Sequence, residues 1–270
     1  MLPRHLIALD LDGTLLPKNQ EISPRTKNAL IAAKKAGHLV AIATGRPYRA
    51  SKRYYKELNL TTPIINFNGA SVHHPLDHHY PQTNESIDFE TSKRLIRLCN
   101  KIGVENIMVE MNDSIYMQHH TGFFASFLTD STHPVAIGNL EELIDINPTA
   151  ILVEPKLKCI QPLREALAQT ETETTLQRWW KGETSVLEIA PNHVTKATAL
   201  ESVATHYQVA REHIIAFGDE ENDLEMISFA GQGVAMDNAI SELKELATHI
   251  TTSNEEDGIA IYLEKALQLI

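Results

Sequence analysis

The stretch His5-Leu6-Ile7-Ala8-Leu9-Asp10-Leu11-Asp12-Gly13-Thr14-Leu15-Leu16 decides how the chain is read. Leu6 to Leu9 is a short, unbroken apolar run that stops at two carboxylates and a glycine. A run of this kind, bounded by turn residues, fits a strand buried on both faces, as in a parallel sheet. Leu39 to Ala43, Ile64-Ile65 and Ile214 to Phe217 have the same form. Each is followed by a polar cluster: Thr44-Gly45-Arg46-Pro47, Asn66-Phe67-Asn68-Gly69 and Gly218-Asp219-Glu220-Glu221-Asn222-Asp223. Ligands of open α/β sheets bind at the carboxyl ends of the strands. Polar clusters that all fall at that edge predict a site there.

Helical patterns lie between the runs. Pro24 to Ala36 places Ala29, Leu30, Ala33 and Ala36 on one face, with Ser23 as N-cap, Pro24 in the first turn and Gly37 as the stop. Pro47 to Leu58 and Ala197 to Tyr207 read as further helices. Alternating strand and helix predicts an α/β, Rossmann-like doubly wound parallel sheet. From Thr83 to Ile189 the pattern changes. Amphipathic strands are expected at Asn106–Glu110, Ser114–Gln118, Ala150–Val153, Leu176–Trp180 and Ser185–Ile189, with helices at Phe89–Lys101 and Gln161–Gln169. The expectation is a core from residues 1–82 and 190–270 that carries an inserted α+β unit at 83–189.

Composition narrows the function. The chain has 270 residues, 43% hydrophobic and 22% charged, as ordinary globular proteins do. With 24 basic and 35 acidic residues its net charge is −11. No Lys/Arg-rich block supplies the basic footprint that a nucleic acid or an anionic membrane surface requires. Cys99 and Cys159 form no metal-ligand pattern and read as buried thiols, which fits a reducing cytoplasm. The first residues do not read as a signal peptide, and no run approaches a membrane span. The pairs His73-His74, His78-His79 and His119-His120 lack the spacing of helical metal ligands.

Asp10 and Asp12, at spacing two, share one face of an extended segment. Carboxylates that close repel unless a cation or proton lies between them, and hard oxygen donors suit Mg²⁺. Thr44-Gly45-Arg46 offers a hydroxyl, a bare backbone and a helix start, the elements of an anion site. Thr44 reads equally as a simple N-cap. Asp219 and Asp223 give a second acidic pair at a strand end, and Lys196 opens a helix.

Together, Asp10-Leu11-Asp12-Gly13-Thr14-Leu15-Leu16, Thr44-Gly45-Arg46, Lys196 and Gly218-Asp219-x-x-Asn222-Asp223 resemble the haloacid dehalogenase superfamily. The likeness is closest to the Cof-type phosphatases with a type IIB cap. Asn68-Gly69-Ala70, Val234-Ala235-Met236 before Asn238-Ala239, and Ser253-Asn254-x-Glu256-Asp257-Gly258 match as well. The likeness covers the expected core; the inserted unit matches in position and size. Two positions depart from the pattern: Ala197 follows Lys196 where the subfamily has glycine, and Asp237 stands where it has glycine.

The resemblance implies that Asp10 is the nucleophile and Asp12 the general acid and base. Thr44 and Lys196 complete the catalytic set. It implies Mg²⁺ held by Asp10, Asp219 and the backbone carbonyl of Asp12, with Asp223 close by. Leu11, Gly45, Arg46, Asn68 and Asn222 are the implied substrate- and phosphate-binding positions. The insertion is expected to act as a lid that selects the leaving group, with Trp179, Trp180 and Glu183 as candidates beside Arg46 and Asn68. For the tryptophans, packing within the lid's own core is the favoured reading.

The expected function is Mg²⁺-dependent hydrolysis of small phosphorylated metabolites through an aspartyl-phosphate. Sugar phosphates lead; flavin mononucleotide and pyridoxal phosphate are further candidates. A phosphomutase on the same scaffold, or a non-hydrolytic phospho-aspartate switch or binding protein, stands as the alternative. The expected assembly is a monomer or homodimer.

Overall fold

A computed structural model describes residues 3–128, 132–169, 174–180 and 185–269. It divides into two compact units, Met1–Thr83 with Val194–Ile270, and Asn84–His193.

The first unit is built on a five-stranded parallel sheet in the order His249–Ile250, Gln232–Ala235, Ile214–Gly218, Leu6–Leu9, Leu39–Ile42. Leu6 to Leu9 is central: Leu6 pairs with Ile214 on one side and Leu39 on the other. Its four side chains are fully buried because they alternate between two cores. Ile7 and Leu9 join Leu30, Tyr54 and Leu263 on one face. Leu6 and Ala8 join Leu200, Val203, Ile227 and Leu243 on the other. Helices thus cover both faces, as the unalternated apolar runs require.

The strand Ile64–Asn66 meets the sheet edge through a bridge from Ala43 to Ile65, and pairs antiparallel with Ser71–His73. Two parallel strands, Gln232–Ala235 and His249–Ile250, were not among the expected runs. The first helix spans Pro24–Lys35, with the Ser23 hydroxyl accepting from the Thr26 amide. The second spans Tyr48–Glu57 with Pro47 as its N-cap, one residue later than the sequence pattern suggested.

The second unit is an α+β layer. Its sheet runs Thr175–Trp180, Val186–Pro191, Ala150–Glu154, Asn106–Met111, Ser114–Met117, Ala136–Ile137, antiparallel except for the last pair. One face packs Ile107, Val109, Ile151, Val153, Leu187 and Ile189 against apolar residues of the helices Phe89–Ile102 and Ile160–Gln169. The other face buries Met108, Ile115, Met117, Leu152 and Val186 with Phe124. Trp179 packs against the first of these clusters, with Arg164 stacked 4.3 Å from its ring centre. Trp180 is 37% exposed and donates its indole N–H to Glu188 at 3.0 Å. The tryptophans therefore part company: Trp179 is half-buried against the unit's own cluster, and Trp180 is exposed. Glu183 lies outside the described residues. Cys99 and Cys159 are free and buried. Among the described residues no helix is long and apolar enough to cross a membrane.

Leu30 is fully buried in the first unit, whereas Ile261 is 36% exposed. Leu30→Ala leaves a cavity and is expected to cost about 2–5 kcal/mol; Ile261→Ala should stay within about 1 kcal/mol. Urea unfolding of the two variants checks the contrast.

Candidate functional site

The site forms where strands of the first unit end. The Asp10 amide donates to the Phe217 carbonyl at 3.2 Å, tying the end of Leu6–Leu9 to its neighbour. The chain then turns, with the amides of Thr14 and Leu16 donating to the Leu11 carbonyl at 3.3 and 2.8 Å. Gly13 allows this turn. Its φ is +78°, and a Cβ there would stand 2.1 Å from Asp219 Oδ2. Thr14 donates its hydroxyl to Asp219 Oδ1 at 2.6 Å, joining two segments 205 residues apart.

Lys196 is the first residue of the helix Lys196–His206, whose N-cap Thr195 accepts from the Thr198 amide at 3.2 Å. Its side chain is fully buried. The ammonium donates to Asp10 Oδ1 at 2.5 Å and to Asp223 Oδ1 at 2.7 Å. The other oxygen of Asp223 accepts from the Asp219 and Glu220 amides at 3.0 and 3.2 Å. Asp223 thus fixes both the lysine and the turn that presents Asp219. Gly69 lets the helix start approach, since a Cβ there would meet the Thr195 carbonyl at 2.3 Å.

Asp10, Asp219 and Asp223 offer ligand atoms that all lie within 4.8 Å of one another. Against three carboxylates there is one buried ammonium. Burial drives the Asp10 carboxyl well above its ordinary range; Lys196 opposes this and the charges of Asp223 and Asp219 add to it. Burial likewise raises Asp219 to about 7, against the Thr14 hydrogen bond and with the Asp223 charge. Burial works against the Lys196 ammonium, yet the Asp10 and Asp223 carboxylates hold its pKa above the usual value. Among the described residues, one oxygen of Asp10 and one of Asp219 accept no hydrogen bond. Hard oxygen donors, an uncompensated negative charge and two open oxygens fit a divalent cation.

Asp12 differs from Asp10. The strand ends at Leu9, so the alternation that would put both carboxylates on one face does not apply. The Asp12 side chain is 55% exposed and lies outside the acidic trio. It faces Arg46, whose Nε donates to Asp12 Oδ2 at 2.7 Å and whose terminal nitrogen donates to Oδ1 and to Gln20 Oε1.

The remaining expected positions border this arrangement. Thr44 is 1% exposed and is not a helix cap; its hydroxyl accepts from the Arg46 amide at 3.1 Å. Leu11 is buried and contributes its carbonyl to the turn. Asn68, buried and left-handed (φ 55°, ψ 26°), accepts through Oδ1 from the Asn222 side-chain amide at 2.9 Å. A Cβ on Gly45 would come 3.2 Å from the Asn68 amide group.

Sequence reading assigned no role to Asn238, which donates to the Gly13 carbonyl at 2.8 Å, or to Asn254, which donates to the Leu16 carbonyl at 2.8 Å. Their presence in matching motifs was the available signal; nothing in the sequence pointed to Gln20. Asp237 is exposed and faces Lys244 at 3.5 Å. A separate cavity of about 440 Å³ lies in the second unit, lined by Asn84, Glu85, Ser86, Asn112, Ile146, Asn147 and Thr149. None of these belongs to the acidic cluster.

A family model of haloacid dehalogenase-like hydrolases matches residues 7–263. The chain is 40% identical over 265 residues to the 5-amino-6-(5-phospho-D-ribitylamino)uracil phosphatase YitU of Bacillus subtilis, covering 98% of each. It is 30% identical to the pyridoxal phosphate phosphatase YbhA of Escherichia coli, over 96% of this chain and 97% of that one. The crystal structure of TM0651 from Thermotoga maritima superposes with a TM-score of 0.84 at 29% identity, over 97% of each chain.

An acid whose pKa is raised by folding is protonated in the folded state over a pH range where the unfolded chain has lost the proton. Stability is therefore lost as pH rises from about 4 through about 7, the window set by Asp219. Asp219→Asn keeps an acceptor for Thr14 and removes the charge. Without divalent cations it is expected to raise the melting temperature at pH 8 and change it little at pH 4. Added Mg²⁺ should stabilise the unsubstituted chain more at pH 8 than at pH 5 and have little effect on the variant. Scanning calorimetry across this range checks all three.

Proposed function

The chain belongs to the haloacid dehalogenase-like hydrolases and is a phosphatase, and we propose that it hydrolyses small phosphomonoesters through an aspartyl-phosphate on Asp10. The observation that carries this reading is the fully buried Lys196 ammonium joined to Asp10 and Asp223. A lysine at no exposed surface, holding one oxygen of a strand-end carboxylate, orients that carboxylate and leaves its second oxygen to attack.

In the first half-reaction an Asp10 oxygen forms a bond to phosphorus while the ester P–O bond breaks. Asp12 gives a proton to the departing oxygen. In the second half-reaction water attacks the phosphorus of the acyl phosphate and gives its proton to Asp12. The bond to Asp10 breaks, restoring the carboxylate and releasing inorganic phosphate. Thr44, Gly45 and Lys196 hold the phosphoryl oxygens, and positioning together with charge compensation carries most of the rate. Asn68 and Asn222, joined to each other, and Leu11 border the same space.

Asp10 and Asp219 are the residues that would hold Mg²⁺, with the Asp12 carbonyl completing the set and Asp223 behind it. Bound there, the ion would offset the repulsion between the Asp10 carboxylate and an anionic phosphate. The acidic trio and its unbalanced charge support the ion on grounds independent of family likeness.

For the substrate, the relative at 40% identity favours a phosphorylated ribityl-pyrimidine over a simple hexose phosphate. Such a molecule shares a phosphorylated polyol chain with sugar phosphates and adds a flat polar ring. Leaving-group selectivity is assigned to the second unit, read here as the cap at residues 83–189 on a core of 1–82 and 190–270. A cytoplasmic setting follows from this choice of metabolite.

Phosphate release is the test. 5-Amino-6-(5-phospho-D-ribitylamino)uracil, pyridoxal phosphate, a hexose 6-phosphate and p-nitrophenyl phosphate are assayed with Mg²⁺, with chelator and with Asp10→Asn. The expected result is the highest kcat/KM for the ribityl compound, loss with chelator, and a fall of more than about a thousandfold in Asp10→Asn. Equal turnover by Asp10→Asn would refute the mechanism. Isomerised sugar phosphate in place of free phosphate would favour a mutase.

A further inference from the structure

Arg46 has the features of a fixed part rather than of a free substrate-binding side chain. Its amide donates to Thr44 Oγ1 at 3.1 Å. Its carbonyl accepts from the Asn66 side-chain amide at 2.8 Å and from the Phe67 amide at 3.3 Å. Its guanidinium lies 5.7 Å from the centre of the Tyr54 ring, a core residue 1% exposed. Gln20 accepts from it through Oε1, and Gln20 is itself immobilised. That residue adopts a left-handed backbone (φ 60°), and its carbonyl accepts from Arg53 at 3.2 Å and Tyr54 Oη at 3.1 Å. A planar fork held in this way has one geometry to offer, and it offers it to Asp12.

The fork engages both oxygens of Asp12. A bidentate pairing of this kind matches a carboxylate, the form Asp12 takes once its proton has gone to the departing oxygen. We propose that Arg46, backed by Gln20, is a positioning residue that holds Asp12 as the base for the second half-reaction. There Asp12 takes the proton of the water that attacks the acyl phosphate, as the P–O bond to Asp10 breaks. The inference rests on the aspartyl-phosphate reading above. It places Arg46 on the water-attack step and not on substrate capture.

Loss of the fork should slow hydrolysis of the acyl phosphate more than its formation. With p-nitrophenyl phosphate, whose leaving group needs little protonation, Arg46→Gln is expected to lower kcat on the order of 10- to 100-fold. KM should stay level or fall, and the fraction of enzyme carrying an acid-stable, hydroxylamine-sensitive phosphoryl group should rise at steady state. Arg46→Lys keeps the charge without the fork and should fall between the two. Gln20→Ala, which loosens the fork without touching Asp12, should move the same quantities in the same direction by a smaller factor.

Acid quench and intact-protein mass measure the phosphorylated fraction, and a melting curve of each variant shows that it is folded. Asp12→Ala, lacking the base altogether, serves as the reference that accumulates phosphoenzyme. Accumulation in Asp12→Ala but not in folded Arg46→Gln overturns the inference. So does a raised KM with no accumulation, the mark of substrate binding. No phosphoenzyme in any variant, Asp12→Ala included, overturns the aspartyl-phosphate reading and this inference with it.

Discussion

A single ammonium group organises the first unit. Lys196 lies with no solvent contact between Asp10 and Asp223. Stripping an ammonium and two carboxylates of water costs several kcal/mol per ion, recovered only when geometry and hydrogen bonding are good. The structure meets that condition in several places at once. Asp223 spends its second oxygen on two amides, Gly69 lets the Lys196 helix close in, and Gly13 clears room for Asp219. Removing the lysine would strand two carboxylates in the interior, so the site depends on its buried cation as closely as the packing around it does.

That constraint also explains why the site is both tense and useful. Three acids facing one base leave negative charge that protons or a cation must balance, and the raised carboxyls of Asp10 and Asp219 express the imbalance. A receiver-like phospho-switch would also gather acids, a threonine and a lysine at strand ends. It has no place for a second unit with its own sheet and two apolar faces. The length of that unit, its separate core and the phosphatase relatives along nearly the whole chain support turnover over signalling.

Much of this was legible in the residues. The strand Leu6–Leu9 reads from sequence because a strand buried on both faces has no polar position to interrupt it. Asp10, Thr44, Asp219 and Asp223 could be grouped because they follow such runs; Lys196 joined them only through the family resemblance. What escaped were features set by geometry beyond the local pattern. Asp12 was placed with Asp10 by an alternation rule that lapses where the strand ends. The strand His249–Ile250 is two residues long and carries no periodicity to detect. Gln20 gains its role from a left-handed backbone and from Arg46, Arg53 and Tyr54, none of which its neighbours announce.

The central place of Leu6–Leu9 has a consequence for synthesis. Its partner Leu39–Ile42 follows within a short stretch of chain, but its other partner, Ile214–Gly218, comes only after the whole second unit. While the chain leaves the ribosome, one edge of an apolar strand therefore waits unpaired, with its backbone groups open to any other extended segment. The six strands between Asn106 and Pro191 form one sheet among themselves and are complete before that wait ends. A nascent-chain chaperone that shields extended apolar segments would thus find a long-lived target in Leu6–Leu9.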